Sequence, residues 1–165
     1  NDVGETEQEF NIPLDEKGDL MLNGIIDRVI KGSEGGVLVI DYKTSKREKT
    51  KIELFQDPQL QGYVYAVHKL YGVPIESVVA GHYYPLTNNF VTVKYTKAQV
   101  FSHINKVIQD VWKIRKKKKD QFRPQRNQYC NWCAFKKACP EFCKPDEVQK
   151  QVELLQEAKE SLKKK

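Results

Sequence analysis

The stretch from Gly24 to Lys43 limits the folds open to this chain more than any other. It reads Gly24-Ile25-Ile26-Asp27-Arg28-Val29-Ile30, turns through Lys31-Gly32-Ser33-Glu34-Gly35-Gly36, and returns as Val37-Leu38-Val39-Ile40-Asp41-Tyr42-Lys43. Two arms rich in Ile, Val and Leu around a short glycine-rich interruption specify a β-hairpin. Each arm carries a carboxylate, Asp27 on the first and Asp41 on the second. Side chains alternate along a strand, so Asp41 and Lys43 face the same side. The apolar run Val37–Ile40 ends at Asp41, which places the acid where burial gives out. Two aspartates and a lysine converging at a sheet end could hold a divalent cation and polarise a water beside it. Alone, Asp41-x-Lys43 equally describes a solvated surface pair, and the flanking sequence has to decide.

Upstream, Phe10, Ile12 and Leu14 alternate with polar residues, so residues 5–14 form a first strand, with Pro13 marking an edge or an end. Downstream, Thr44 to Lys51 is polar and basic and reads as a loop at the mouth of the site. Asp57-Pro58 is a helix start, aspartate as cap and proline in the first turn. That helix carries Leu60, Tyr63, Val64, Val67 and Leu70 and stops at Gly72. Ser77–Tyr84 and Asn89–Tyr95 read as two more strands. Thr96 with Gln99 forms a capping box and opens a long helix bearing Val100, Ile104, Val107, Val111 and Ile114. Phe122–Tyr129 is an irregular linker. A last helix covers residues 146–165, with Val148, Val152, Leu155 and Leu162 among many charges and Lys163–Lys165 fraying at its end. The order of strand, hairpin, helix, strands and helix specifies an α/β fold, a mixed sheet flanked by helices.

The chain has 165 residues, enough for one domain with an appendage. The divisions expected are a core over residues 1–122, a cysteine segment over 123–145, and a helix over 146–165. A net charge of +6 favours polyanionic partners. No apolar run approaches a membrane span and no export signal is visible, so an intracellular, reducing setting is expected. The chain begins at Asn1 without a methionine, as a fragment or processed product would.

All four cysteines fall in one short segment, as Cys130-x2-Cys133-x5-Cys139-x3-Cys143. A disulfide framework spreads its cysteines through a chain, so ligation is the better reading. Four thiolates suit a tetrahedral Zn²⁺ or an iron–sulfur cluster equally. Trp132 and Phe135 are placed to shield such a site from water.

Gln59 and Tyr63 lie four apart on one helical face, one loop after Asp41-x-Lys43. The series Gly24-x-x-Asp27, apolar strand with Asp41-x-Lys43, then Gln59-x-x-x-Tyr63 resembles the RecB-like branch of the PD-(D/E)XK nucleases. Cys130-x-x-Cys133 with Cys139 resembles its iron–sulfur variety, which includes the AddB nuclease domain and the CRISPR-associated RecB-like exonucleases. The resemblance spans about residues 5–143, and its strength lies in the order of motifs that are individually weak. It implies a restriction-endonuclease-like mixed central sheet with a C-terminal cysteine-ligated metal or cluster segment.

It further implies that Asp27, Asp41 and the Tyr42 carbonyl hold Mg²⁺ or Mn²⁺, and that Lys43 orients the attacking water. Gln59 and Tyr63 would stand near the site and the DNA backbone. Glu7 resembles an acidic residue of the family's first core strand. Cys130, Cys133 and Cys139 would hold a [4Fe–4S] cluster, with Zn²⁺ as the alternative, and Cys143 could complete the site locally. In the iron–sulfur members, however, the fourth cysteine usually lies upstream of the core. A metal-binding histidine usually lies upstream as well, and His68, His82 and His103 do not match its position. One missing N-terminal segment would account for both.

The resemblance therefore points to a metal-dependent deoxyribonuclease, an exonuclease on single-stranded DNA or DNA ends, working with a helicase or a recombination or CRISPR subunit. The rivals are a catalytically incomplete DNA-binding module and a zinc-stabilised protein-interaction domain. Arg28, Lys46, Arg47 and Lys49 stand close enough to the motif in sequence to track neighbouring phosphates.

Overall fold

A computed structural model describes residues 4–163. The chain divides into two compact units, one ending at Arg115 and the other beginning at Lys116. The first is an α/β unit built on a five-stranded sheet whose strands lie in chain order.

Strand β1 (Glu5–Pro13) pairs antiparallel with β2 (Met21–Lys31), from Glu5 opposite Val29 to Pro13 opposite Met21. Strand β3 (Val37–Tyr42) returns antiparallel to β2, with Lys31 opposite Val37 and Arg28 opposite Ile40. The expected hairpin is present, closed by the Gly32 amide on the Gly36 carbonyl at 2.8 Å, with Gly35 at φ 79°. A side chain at Gly35 would have to adopt a left-handed backbone, which glycine accepts without steric cost.

Val37, Val39 and Asp41 are buried while Leu38 and Ile40 are only partly so. One face of β3 therefore packs into the core, and the acid is the last residue of that face. Burying an aliphatic side chain such as Val39 contributes about 2 kcal/mol, so the register of this strand is strongly held. A one-residue slip would turn Val37, Val39 and Asp41 to the wrong side.

Parallel pairing needs a crossover, and two helices provide it. Helix α1 (Lys51–Phe55) lies between the expected loop, which it meets at Lys51, and the helix start at Asp57, in a stretch for which the sequence reading has no element. It is set by a capping box, Thr50 with Glu53, a signal present in the sequence but overlooked among the surrounding charges. Helix α2 (Pro58–Tyr71) starts and stops as expected, with Asp57 accepting from the Gln59 and Leu60 amides and Gly72 left-handed at its end. Strand β4 (Val78–Tyr84) then pairs parallel to β3, with Asp41 beside His82. Strand β5 (Asn89–Lys94) pairs antiparallel to β4. Helix α3 (Lys97–Lys116) opens on the Thr96–Gln99 box.

The core joins Phe10, Ile26, Val29, Val39, Ala80 and Val93 of the sheet to Leu60, Val64 and Val67 of α2. Phe101 of α3 meets the Tyr65 ring of α2 edge-on, 5.8 Å between centroids. The Tyr95 hydroxyl donates to the Leu54 carbonyl and so ties α1 to the end of β5.

The second unit holds short 3-10 turns at Lys119–Gln121, Gln128–Trp132 and Lys136–Ala138, then α4 (Pro145–Lys163). Val152 on the expected apolar stripe of α4 is exposed. The side chains of Leu155 and Leu162, and the fraying expected at Lys164 and Lys165, lie outside the described residues.

Gly81, beside His82 on β4, has no room for a side chain. A Cβ there would stand 2.4 Å from the Val91 carbonyl oxygen and 2.9 Å from the Phe90 ring. Gly81→Ala is expected to lower stability by about 2 kcal/mol or more, measured by urea unfolding. A smaller loss would mean that β5 can shift away.

Candidate active site

The middle of β2, the end of β3 and the start of α2 carry all five side chains singled out from the sequence. Asp41 is 2% exposed. Lys43, two residues on, places Nζ 2.6 Å from Asp41 Oδ2. The contact is an ion pair out of hydrogen-bond alignment, and Asp41 Oδ2 has no hydrogen-bond partner. The lysine is held elsewhere. Its Nζ donates to Gln59 Oε1 at 3.0 Å, Gln59 Nε2 donates to the Tyr63 hydroxyl at 2.8 Å, and that hydroxyl donates to the Ile25 carbonyl at 2.8 Å. One line of hydrogen bonds thus fixes the ammonium to α2 and β2.

Tyr63 is also a core residue, 8% exposed, with its ring edge-on to Phe10 at 6.1 Å. Packing and site duties coincide in it. Burial pushes its phenol above the ordinary tyrosine range, only partly opposed by the Gln59 amide. It is therefore a neutral donor at physiological pH.

Asp27 sits at a break in β2. Ile26 and Val29 are both buried although three residues apart, so the two-residue alternation slips between them. Asp27 Oδ2 accepts the Tyr42 amide at 2.8 Å, binding the end of β3 through a side chain. The β1–β2 pairing skips from Thr6–Arg28 to Gln8–Ile26, leaving out Asp27 and Glu7, and Glu7 is exposed with a left-handed backbone at φ 51°. Such a conformation is uncommon for a non-glycine residue and costs on the order of 1 kcal/mol or more.

Asp27 and Asp41 offer oxygen donors, one of them a buried carboxylate oxygen without a hydrogen bond. That chemistry fits a hard divalent cation. Mg²⁺ in particular takes one or two carboxylates and completes its shell with water and substrate phosphate. Among the described residues no three His, Cys, Asp or Glu side chains are grouped closely enough to hold a metal unaided.

Behind these residues lies a group that sequence reasoning missed. His82 is fully buried, with Nε2 3.7 Å from both Asp41 Oδ2 and Asp57 Oδ2. Asp57, read from sequence only as a helix cap, also takes Lys49 Nζ on Oδ2 at 2.6 Å. Burial pushes the Asp57 carboxyl up, but Lys49 and the Leu60 and Gln59 amides outweigh it and hold the group below its ordinary value. Burial also pushes His82 below the ordinary histidine range, against the pull of Asp41 and Asp57. A sequence signal existed, since His82 occupies an inward position of β4 with Val78, Ala80 and Tyr84.

Two basic residues expected to track phosphates are engaged elsewhere. Lys49 is paired with Asp57, and Arg47 with Glu53. Lys46 is exposed, and Arg28 reaches the Tyr42 hydroxyl at 3.5 Å.

In the second unit, Cys130, Cys133 and Cys139 line one cavity of about 310 Å³, together with Arg126 and Phe142. Cys143 is directed elsewhere, its Sγ 3.1 Å from the Lys137 carbonyl. Trp132 and Phe135 do not shield this cavity, being 80% and 70% exposed. The reason is local geometry. In a 3-10 turn residues three apart eclipse, so Cys130 and Cys133 share a side and Trp132 projects from another.

A family model described as the PD-(D/E)XK nuclease superfamily matches residues 2–140. The chain belongs to that superfamily. The match contains β1 to α3, the site at the end of β3, and three of the four cysteines. The crystal structure of SSO0001 is similar in fold, with a TM-score of 0.52 at 21% sequence identity, over 87% of this chain and 63% of that one. The chain thus spans less than two thirds of that protein's length. No curated protein matches it.

The Lys49–Asp57 pair predicts a pH dependence of stability. A carboxyl held below its ordinary value contributes fully above the unfolded pKa, about 3.9, and that contribution is lost as pH falls through the lower folded value. Asn caps helices as well as Asp, so Asp57→Asn isolates the ion pair. Part-exposure of Lys49 limits the loss to about 1–2 kcal/mol at pH 7. Urea unfolding should show this gap at pH 7 and its narrowing below about pH 4; a gap independent of pH would exclude the pair as its source.

Proposed function

We propose that this chain is a metal-dependent deoxyribonuclease of the RecB-like branch, hydrolysing phosphodiester bonds at DNA ends or in single strands. The observation that carries the reading is the line Lys43–Gln59–Tyr63–Ile25, which holds an ammonium 2.6 Å from a buried aspartate. A lysine that served only to neutralise Asp41 would not need a fixed direction. One that must meet a phosphate does.

Asp27, Asp41 and the Tyr42 carbonyl would hold Mg²⁺ or Mn²⁺. Bound there, the cation supplies charge neutralisation at the phosphodiester and acidifies a water. Lys43 adds a compact positive charge where the phosphate gains negative charge, and its cost of ordering is met before the substrate arrives. Gln59 keeps its carbonyl toward Lys43 because its amide nitrogen is engaged by Tyr63. The net charge of +6 suits a polyanionic substrate.

In the second unit, Cys130, Cys133 and Cys139 would hold an iron–sulfur cluster or Zn²⁺ and pin the terminal segment. They line one cavity without being grouped as ligands there, so the reading rests on their spacing, and the Cys143 thiol, occupied with a backbone carbonyl, favours a fourth ligand from outside that set.

End-labelled single-stranded DNA with Mg²⁺ or Mn²⁺ tests the activity. Wild type should cut, and Asp41→Asn and Lys43→Ala should each lose at least ~100-fold while remaining folded. Binding without cutting by wild type would favour a DNA-binding module instead. For the cysteines, iron content and visible absorption of protein purified without oxygen should vanish in Cys133→Ser and persist in Cys143→Ser. Stoichiometric zinc with no visible band would turn the assignment to Zn²⁺.

A further inference from the structure

Strand β4 presents a polar side chain that the proposed reaction leaves without a task. His82 is fully buried and pairs in register with Asp41. Buried polar atoms are nearly always hydrogen-bonded. Here two such atoms without a hydrogen bond, His82 Nε2 and Asp41 Oδ2, stand 3.7 Å apart. Asp57 Oδ2 lies at the same distance from the same nitrogen.

The other ring nitrogen also has a neighbour. The Tyr84 hydroxyl accepts the Lys49 amide at 2.8 Å and stands 3.4 Å from His82 Nδ1. With the hydroxyl hydrogen given to Nδ1, the ring proton falls on Nε2, the tautomer that suits two flanking carboxylates. Nε2 stands 3.7 Å from each of two carboxylates, within reach of either after a small shift. One ends the apolar face of β3; the other caps α2, the helix carrying Gln59 and Tyr63. Packing alone would be served by an apolar residue, as at Val78 and Ala80 on the same face of β4.

We propose that His82 is a positioning residue, whose Nε2–H orients the Asp41 carboxylate toward a divalent cation and links it to the cap of α2. This rests on the nuclease reading of Asp41. Partners that orient a metal-binding carboxylate change metal affinity by about 10–100-fold when removed. The role is separable from folding, because a packing residue sets stability and leaves metal affinity alone.

The test is Mn²⁺ binding to the full chain without DNA, followed by electron paramagnetic resonance, with thermal unfolding measured on the same samples. His82→Leu should weaken binding about 10–100-fold while the protein remains folded. His82→Gln, whose amide can present an N–H near the position of Nε2, should recover most of the loss. Tyr84→Phe, which frees Nδ1, should weaken binding in the same direction, and it decides the question if His82→Leu does not fold. Wild-type affinity in folded His82→Leu, or in Tyr84→Phe where that variant decides, overturns the positioning role. Asp41→Asn binding Mn²⁺ like wild type overturns the metal site itself, and with it the nuclease reading.

Discussion

The parallel pairing of β3 with β4 is the constraint on which the rest of the first unit depends. It requires a crossover, so α1 and α2 must pass over the sheet between the two strands. It also puts Asp41 beside His82 on the face that the crossover covers. A carboxylate in that position cannot be left alone, since removing an unpaired charge from water costs several kcal/mol. The chain answers with local balance. Asp41 and Asp57 are matched by Lys43 and Lys49, with the imidazole between the acids.

Fold and chemistry consequently share side chains. Asp57 starts α2 and also closes the charge balance behind Asp41. Tyr63 fills the core against Phe10 and directs Gln59 toward Lys43. Thr50 and Glu53 shape α1, whose Leu54 carbonyl is bound by Tyr95 at the far end of the sheet. An element that both packs and orients has little freedom to drift, which suits groups that must be in place when substrate arrives. Irregular backbone also falls beside the site. The alternation of β2 slips at Asp27, and the β1–β2 pairing there skips both Asp27 and the left-handed Glu7.

The sequence made the sheet legible because its signals are local. The glycine-rich turn, the Asp57-Pro58 start, the Gly72 stop and the Thr96–Gln99 box each depend on residues a few positions apart. The same holds for Gln59 and Tyr63, whose helical spacing announces a shared face. His82 was not legible as a site residue because its meaning comes from pairing across a crossover of some forty residues, Asp41 to His82. The Lys49–Asp57 pair is closer in sequence, eight residues apart, but it forms only because α1 lies between them and folds the chain back. Proximity in sequence suggests Trp132 and Phe135 as a shield for the cysteines, whereas both are exposed and the 3-10 turn sets Trp132 apart from its neighbours.

The hydrogen bond from the Tyr42 amide to Asp27 has a consequence for observation. Its acceptor is a carboxylate oxygen rather than a peptide carbonyl. The shielding of an amide proton is sensitive to its acceptor's charge, so any change in what surrounds Asp27 is transmitted to one backbone resonance. Tyr42 is thus a built-in spectroscopic reporter, readable by nuclear magnetic resonance in the unmodified chain. Because that amide also belongs to the Asp41–Tyr42 peptide bond, this one resonance would register changes at both acids of the site.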